Sequence, residues 1–282
     1  MDEHNLGEGA MKGVAMNPCR HAALLLALGL LAACAQVAAQ ALPPSSLGLL
    51  PLDGDLATDF ACEVDMRLEV PEGEQSEYAQ HLQAALSGAG LNGLAPQRVL
   101  VVDRSPKVQA ALLYRLTPDG DWRFTGATPV TTGLPGQFEH FATPLGVFAH
   151  SLDNLDYRAD GTRNENAIRG YGRKGMRVFD FGWIAAAKGW GDGGMSVMRL
   201  QMHATDPDAL ERHLGRVRSK GCIRIPATFN ELLDRRGVLD ADYEAAVANG
   251  RSFWWLRHDR EATRWAGRYL VVIETEAAGA PA

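Results

Sequence analysis

Ser196-Val197-Met198-Arg199-Leu200-Gln201-Met202-His203, followed fifteen residues later by Ser219-Lys220-Gly221-Cys222-Ile223-Arg224, is the stretch from which the fold reads. The first segment alternates cleanly. Met198, Leu200 and Met202 share one face of an extended strand, while Val197, Arg199, Gln201 and His203 share the other. The methionine face reads as core, so His203 ends a strand on the polar face, where an imidazole can meet a substrate. A lone histidine there is most often a plain surface residue, and the cysteine segment downstream raises its weight. Cys222 stands beside a glycine, between Lys220 and Arg224, with Arg216 and Arg218 close in sequence. Neighbouring cations lower a thiol from its free pKa of about 8.5 towards the nucleophilic thiolate. Gly221 lets backbone N–H groups approach a single oxyanion. The competing reading of such a segment is a buried structural cysteine at a turn.

Short strands surround this stretch. Val99–Val102, Ala111–Tyr114, Met176–Phe179 and Leu270–Ile273 are separated by Gly, Pro and Asp turns, which predicts a mainly β, mostly antiparallel domain with a few helices. Glu77–Leu86 predicts a helix, with Tyr78, Leu82 and Leu86 four residues apart and Gly88 as a stop. Thr228-Phe229-Asn230-Glu231 has the capping-box pattern of a helix start, ending near Gly237, and Ala241–Ala248 predicts another helix. Asp153–Gly175 and Gly189–Gly194 are polar, Gly-rich loops of the kind that form lids or insertions. No internal repeat is visible.

Residues 1–33 read as an export segment. Ala22–Ala33 is apolar and follows Lys12 and Arg20, too short for a bilayer span of about 20 residues. Acidic residues before it make Met11 or Met16 the more natural start. Leu31-Ala32-Ala33-Cys34 reads as a lipobox that would lipidate Cys34, and Ala39-Gln40-Ala41 as an ordinary cleavage site. Residues 34–97 read as a linker, Pro/Ser/Leu/Asp-rich over Leu42–Ala57, and a short helical region. Beyond them come a domain over 98–275 and a tail over 276–282. The chain of 282 residues is 46% hydrophobic with a net charge of -6, which argues against a nucleic-acid binder. Cys19, Cys34, Cys62 and Cys222 have no metal-ligand spacing, so neither a metal site nor a disulfide framework is expected.

His203, the fifteen-residue gap and Ser219-Lys220-Gly221-Cys222-Ile223-Arg224 together resemble the active-site signature of the L,D-transpeptidase (YkuD-type) family. Thr143-Pro144-Leu145-Gly146-Val147-Phe148 is similar to its TPxGxF segment, and Leu214-Gly215 to the pair before its SxGC. Val99–Asp103 and Pro129–Gly133 match its opening strands. The resemblance spans roughly Arg98 to Ile273 and implies a β-sandwich-like catalytic domain with a cysteine acyl-enzyme and no cofactor. By that resemblance Cys222 is the nucleophile, His203 the general base, and Arg224 positions or stabilises the reacting segment. Gly221 and Cys222 supply oxyanion N–H groups, with Ser219 in the same loop. Lys220, Arg218 and His140 are candidate substrate contacts. Peptidoglycan stem peptides are the implied partners, with envelope proteins as alternative acyl acceptors. The implied location is the periplasm, with membrane contact only through a lipid on Cys34.

Two positions depart from the family. Ala204 stands where Gly is common after the histidine, and Lys220 where His is common before the Gly-Cys pair. A lysine keeps a cation there but cannot act as an imidazole base at neutral pH. His213 is a rival base, although Asp208–His213 reads as a short helical insertion on the surface. His140 and His150 flank the Thr143 segment and are expected in solvated loops. Trp183, Trp190, Trp254 and Trp255 are expected mostly in the core. Tyr171–Gly175 is a basic loop that meets substrate carboxylates or solvent. A Cys62–Cys222 pair is not expected, since Cys62 lies outside the matched region. Within the same fold the thioester can pass instead to water, giving an L,D-carboxypeptidase or amidase. A non-catalytic wall-binding module is the rival from another class.

Overall fold

Sheet order explains which strand face is free for chemistry. A computed structural model describes residues 55–275; the export segment, Cys34, the Ala41 site and the tail lie outside the described residues. The first sheet runs β3 (Trp122–Pro129), β2 (Ala110–Leu116), β1 (Arg98–Asp103), β9 (Tyr269–Ile273), β4 (Gly146–Ala149). The second runs β5 (Tyr157–Arg158), β6 (Arg177–Ala187), β7 (Met195–Ala204), β8 (Ile223–Ile225). Pairing is antiparallel except at β1–β9 and β7–β8. Among the described residues the protein is mainly β with four α-helices, as its strand pattern predicts.

Every residue of β1 is buried, because the first sheet is covered on both faces, and this accounts for the unbroken apolar run Val99–Val102. One face, through Val99, Val101 and Leu112, packs on Tyr78, Leu82 and Leu86 of α2 (Glu72–Gly88). The other face, through Leu100, Val102, Leu113 and Leu270, meets the inner face of the second sheet. Phe179, Met198, Leu200, Met202, Ile223 and Ile225 form that inner face, so the methionine side of β7 is the core side. The outer face of the second sheet is left for polar residues.

Two helices close the ends of the core. α3 (Ala227–Arg235) inserts Phe229, Leu232 and Leu233. It starts two residues earlier than the capping-box reading: Pro226 is the N-cap residue, and Thr228, already helical, accepts the Asp65 N–H on its hydroxyl instead. With the helix begun at Ala227, the Asn230 N–H already bonds to the Pro226 carbonyl at 3.0 Å, so Thr228 stands inside the helix rather than at its cap. α1 (Asp55–Glu63) begins inside the stretch read as linker. It packs Phe60 edge-on against Phe229, at 5.7 Å between ring centroids. α4 (Ala241–Ala248) forms where its alanine run predicts.

Candidate active site

β7 and β8 run parallel, with Met202 opposite Ile223, His203 opposite Arg224 and Ala204 opposite Ile225. Since Met202, Ile223 and Ile225 point into the core, His203 and Arg224 point outward. Cys222 precedes Ile223 and so falls on the outward side, two rungs from His203 and level with Gln201. The surroundings of the thiol agree with that side: the Gln201 backbone bonds to it, and Arg224 and Asp180 act on its charge. The two residues singled out from sequence therefore share one face at successive outward-facing positions.

The turn that carries Cys222 is braced on every side. Ser219 is buried; its hydroxyl donates to the Cys222 carbonyl at 2.5 Å and accepts the Gly221 N–H at 3.1 Å. That N–H is thus committed within the turn, against the expectation that Gly221 offers it to an oxyanion, and Ser219 braces the turn from both sides. Thr143, also buried, donates its hydroxyl to the Gly221 carbonyl at 2.7 Å and accepts the Gly133 N–H at 2.8 Å. The Thr143–Phe148 and Pro129–Gly133 segments meet here for that reason. Phe141 N–H donates to the Lys220 carbonyl at 3.1 Å. Gly221 has φ +131°, and a Cβ there would lie 3.2 Å from the Phe141 Cβ, so this position requires glycine.

His203 is buried, because Tyr171 from the 159–175 loop lies over its ring at 4.5 Å between centroids. The strand face is the one predicted, but the solvent exposure is not. His203 Nδ1 lies 2.8 Å from the Ala204 carbonyl oxygen, which can only accept, so Nδ1 carries the proton and Nε2 keeps its lone pair. The carbonyl, not the side chain, is what residue 204 contributes to the imidazole, and alanine supplies it as well as glycine. Burial presses the His203 pKa from 6.5 down to about 4, with the Ala204 carbonyl opposing and the Arg224 charge assisting. Burial likewise pushes the Cys222 thiol up, against the lowering influence of the Gln201 backbone and Arg224. The expectation of a cation-activated thiolate is corrected accordingly: desolvation outweighs the neighbouring charges, and both partners rest neutral.

Other candidates separate clearly. Arg224 is half-buried with its guanidinium on the site face, and Arg218 is exposed beyond it. Lys220 points out and pairs with Glu139 at 3.5 Å, both side chains 62% exposed. His140 is half-buried, its Nδ1 3.3 Å from the Leu134 carbonyl, next to the Cys222 turn. His213 lies in a 3₁₀ turn, Glu211–His213, and its carbonyl accepts from the Thr131 hydroxyl at 3.3 Å. His150 is not in a solvated loop: it is buried, with Nε2 2.9 Å from Asp156 and Nδ1 2.8 Å from the Leu239 carbonyl. With acceptors at both nitrogens it is held as a cation; burial opposes this, and the Asp156 carboxylate outweighs burial to raise its pKa. Trp183 and Trp254 are exposed, contrary to the core expectation, whereas Trp255 is buried. Cys222 is free and Cys62 is disulfide-bonded, so the two do not pair, and the expectation of unpaired cysteines fails at Cys62.

Sequence reasoning missed the acid beneath the site. Asp180 is fully buried on the same outer face and accepts from Gln201 Nε2 at 2.8 Å and Arg199 Nε at 2.7 Å. Tyr171 OH donates to Gln201 Oε1 at 3.3 Å, so one polar chain crosses the face from Tyr171, whose ring covers His203, to Arg199. A signal existed in the alternation of Arg199, Gln201 and His203, which needs a counter-charge on the neighbouring strand. Among the described residues no cluster of His, Cys, Asp and Glu could hold a metal ion, and no helix is long and apolar enough to cross a membrane.

No family model matches this chain, and no curated protein matches it. Among solved structures it is similar to a variant of the helical cell shape determining protein Pgp2 from Campylobacter jejuni, at 14% identity and a TM-score of 0.30. That likeness covers 74% of this chain, which spans 58% of the length of the other.

Proposed function

We propose that the protein is a cysteine acyltransferase of the L,D-transpeptidase type, acting on peptidoglycan stem peptides in the cell envelope. The observation that carries this is the placement of Cys222 and His203 at successive outward positions, with Nδ1 of the imidazole tied to the Ala204 carbonyl and the lone pair kept on Nε2. Nε2 accepts the thiol proton as sulfur attacks the peptide carbonyl. The tetrahedral intermediate then expels the D-Ala amine, which takes that proton from Nε2 and leaves a thioester. An acceptor amine attacks the thioester, gives its proton to the base, and the thiol is regenerated. Because both partners rest neutral, the charge separates only as substrate is attacked, and in this reading the Arg224 guanidinium stabilises the developing oxyanion. Ser219 and Thr143 hold the nucleophile turn, and no cofactor has a role.

Intact-mass measurement after incubation with a carbapenem tests the reading. One adduct on the wild type and none on Cys222→Ala is the expected result; an adduct on Cys222→Ala removes Cys222 as nucleophile. Incubation with muropeptides then reports the acceptor, as cross-linked products for transfer to an amine or trimmed stems for transfer to water. Absence of both, with no acylation, would leave a wall-binding module.

A further inference from the structure

Arg199 takes no part in the acyl-transfer steps, yet it stands on the reacting face. It lies two residues before Gln201 on β7, and so flanks the Cys222 rung on the side opposite His203. That spacing puts its Cα about 8 Å from that of Cys222. Its Nε is bonded to Asp180, whose same oxygen holds Gln201 Nε2, and the Gly182 N–H at 2.9 Å completes the acid's shell. The terminal nitrogens of Arg199 have no partner among the described residues, and its side chain is 40% exposed. Trp183 pairs with Arg199 across β6–β7, turned outward by the irregularity after Asp180, and is 66% exposed. The guanidinium carbon sits 5.7 Å from its ring centroid. A surface arginine ordinarily loses rotamer freedom when it binds an anion. Here a buried acid and an aromatic plane have already removed that freedom, and the two outer N–H edges remain presented as a fork that matches a carboxylate.

We infer that Arg199, braced by Asp180 and Trp183, is the binding site for a free carboxylate of the acyl-donor peptide beside the scissile bond. The inference rests on the acyl-transfer reading for where the donor lies. Two sources share this chemistry: the C-terminal carboxylate of the donor, and the side-chain carboxylate of the residue whose carbonyl is attacked.

Calorimetry on the full chain carrying Cys222→Ala tests it without turnover. The probes are the tetrapeptide L-Ala-γ-D-Glu-meso-diaminopimelyl-D-Ala and two amides of it, one at the C-terminus and one at the diaminopimelyl side-chain carboxyl. One amide is expected to bind about 10- to 100-fold more weakly than the parent, which identifies the source. Adding Arg199→Gln should erase the difference, and Trp183→Ala, at an exposed position that the fold tolerates, should weaken parent binding. Equal affinity of all three peptides, a difference that survives Arg199→Gln in protein with an unchanged melting curve, or no binding of any peptide overturns the inference. Discrimination in this background, combined with a wild-type protein that is never acylated, would instead overturn the acyl-transfer reading and leave the carboxylate site standing.

Discussion

At Cys222 and His203 the decisive force is burial, which works on both groups in the same sense. A thiol pushed up and an imidazole pressed to about 4 leave an uncharged pair at neutral pH, unlike a preformed thiolate–imidazolium couple. Alkylation of Cys222 by iodoacetamide is therefore expected to be slow at pH 7 and to climb without a plateau below about pH 8.5, the free-thiol value. Rapid labelling that stays constant from pH 5 to 8 would sink this. The same shift has a stability consequence. Between pH 6.5 and about 4 the unfolded chain takes up a proton at residue 203 that the folded protein refuses, so stability falls with pH across that window. The full loss amounts to about 3 kcal/mol. His203→Gln should remove it, so that urea denaturation at pH 7 and pH 4.5 shows a smaller acid loss in the variant than in the wild type. His150 works the other way, adding stability at low pH that is lost as pH rises through its raised pKa. It is common to both proteins and cancels in the comparison.

Elements position this pair through close backbone approach, and glycine is the residue that permits it. A Cβ on Gly133 would fall 2.0 Å from the Phe141 carbonyl oxygen and 2.8 Å from the Gly221 Cα, both backbone atoms that no rotamer change can move. Gly133→Ala should force the Thr143 cradle off the Cys222 turn, costing on the order of 3 kcal/mol in urea denaturation. Carbapenem acylation of whatever remains folded should fall with it. Wild-type acylation kinetics in that variant would show that the cradle does not position the thiol. The strands themselves were legible in the sequence because burial on one face leaves a period of two, as in Ser196–His203, and burial on both leaves an unbroken run, as in Val99–Val102. What escaped is what periodicity does not encode. The irregularity between Asp180 and Trp183 switches a tryptophan from the core side to the surface. Tyr171 comes from a loop with no pattern to say that it covers His203. α1 hid in a Pro/Ser/Leu/Asp-rich stretch, although Leu56, Phe60 and Val64 recur at four-residue spacing and all enter the core.

Across the whole molecule, the second sheet must present a rigid outer face while resting on an apolar inner one, and a buried charge cluster at its β5 end ties it to the helices. Arg177, fully buried at the start of β6, donates Nε to Asp156 at 2.6 Å and its two terminal nitrogens to Asp240 at 2.7 and 2.8 Å. Asp240 precedes α4, and Asp234 of α3 receives a longer contact at 3.5 Å. Asn230 of α3 closes the cage, its amide donating to the Arg177 carbonyl at 2.9 Å. Asp156 passes the restraint on to the site, since it also accepts the N–H of Asp180, the acid that holds Gln201 and Arg199. Arg177→Met fills the volume but strands Asp156 and Asp240 with less than their full complement of charge, a change that typically costs about 3–5 kcal/mol. Arg177→Lys should recover little of it, because an ammonium cannot serve both carboxylates with the geometry of a guanidinium. Urea denaturation at pH 7 checks both variants, and a loss below about 1 kcal/mol in Arg177→Met would mean that the cluster contributes to specificity of folding rather than to stability. Acylation of Cys222 in the folded fraction separates a local effect from a global one: if the cluster steadies the outer face through Asp156 and Asp180, the acylation rate falls in Arg177→Met even under conditions where the protein remains fully folded.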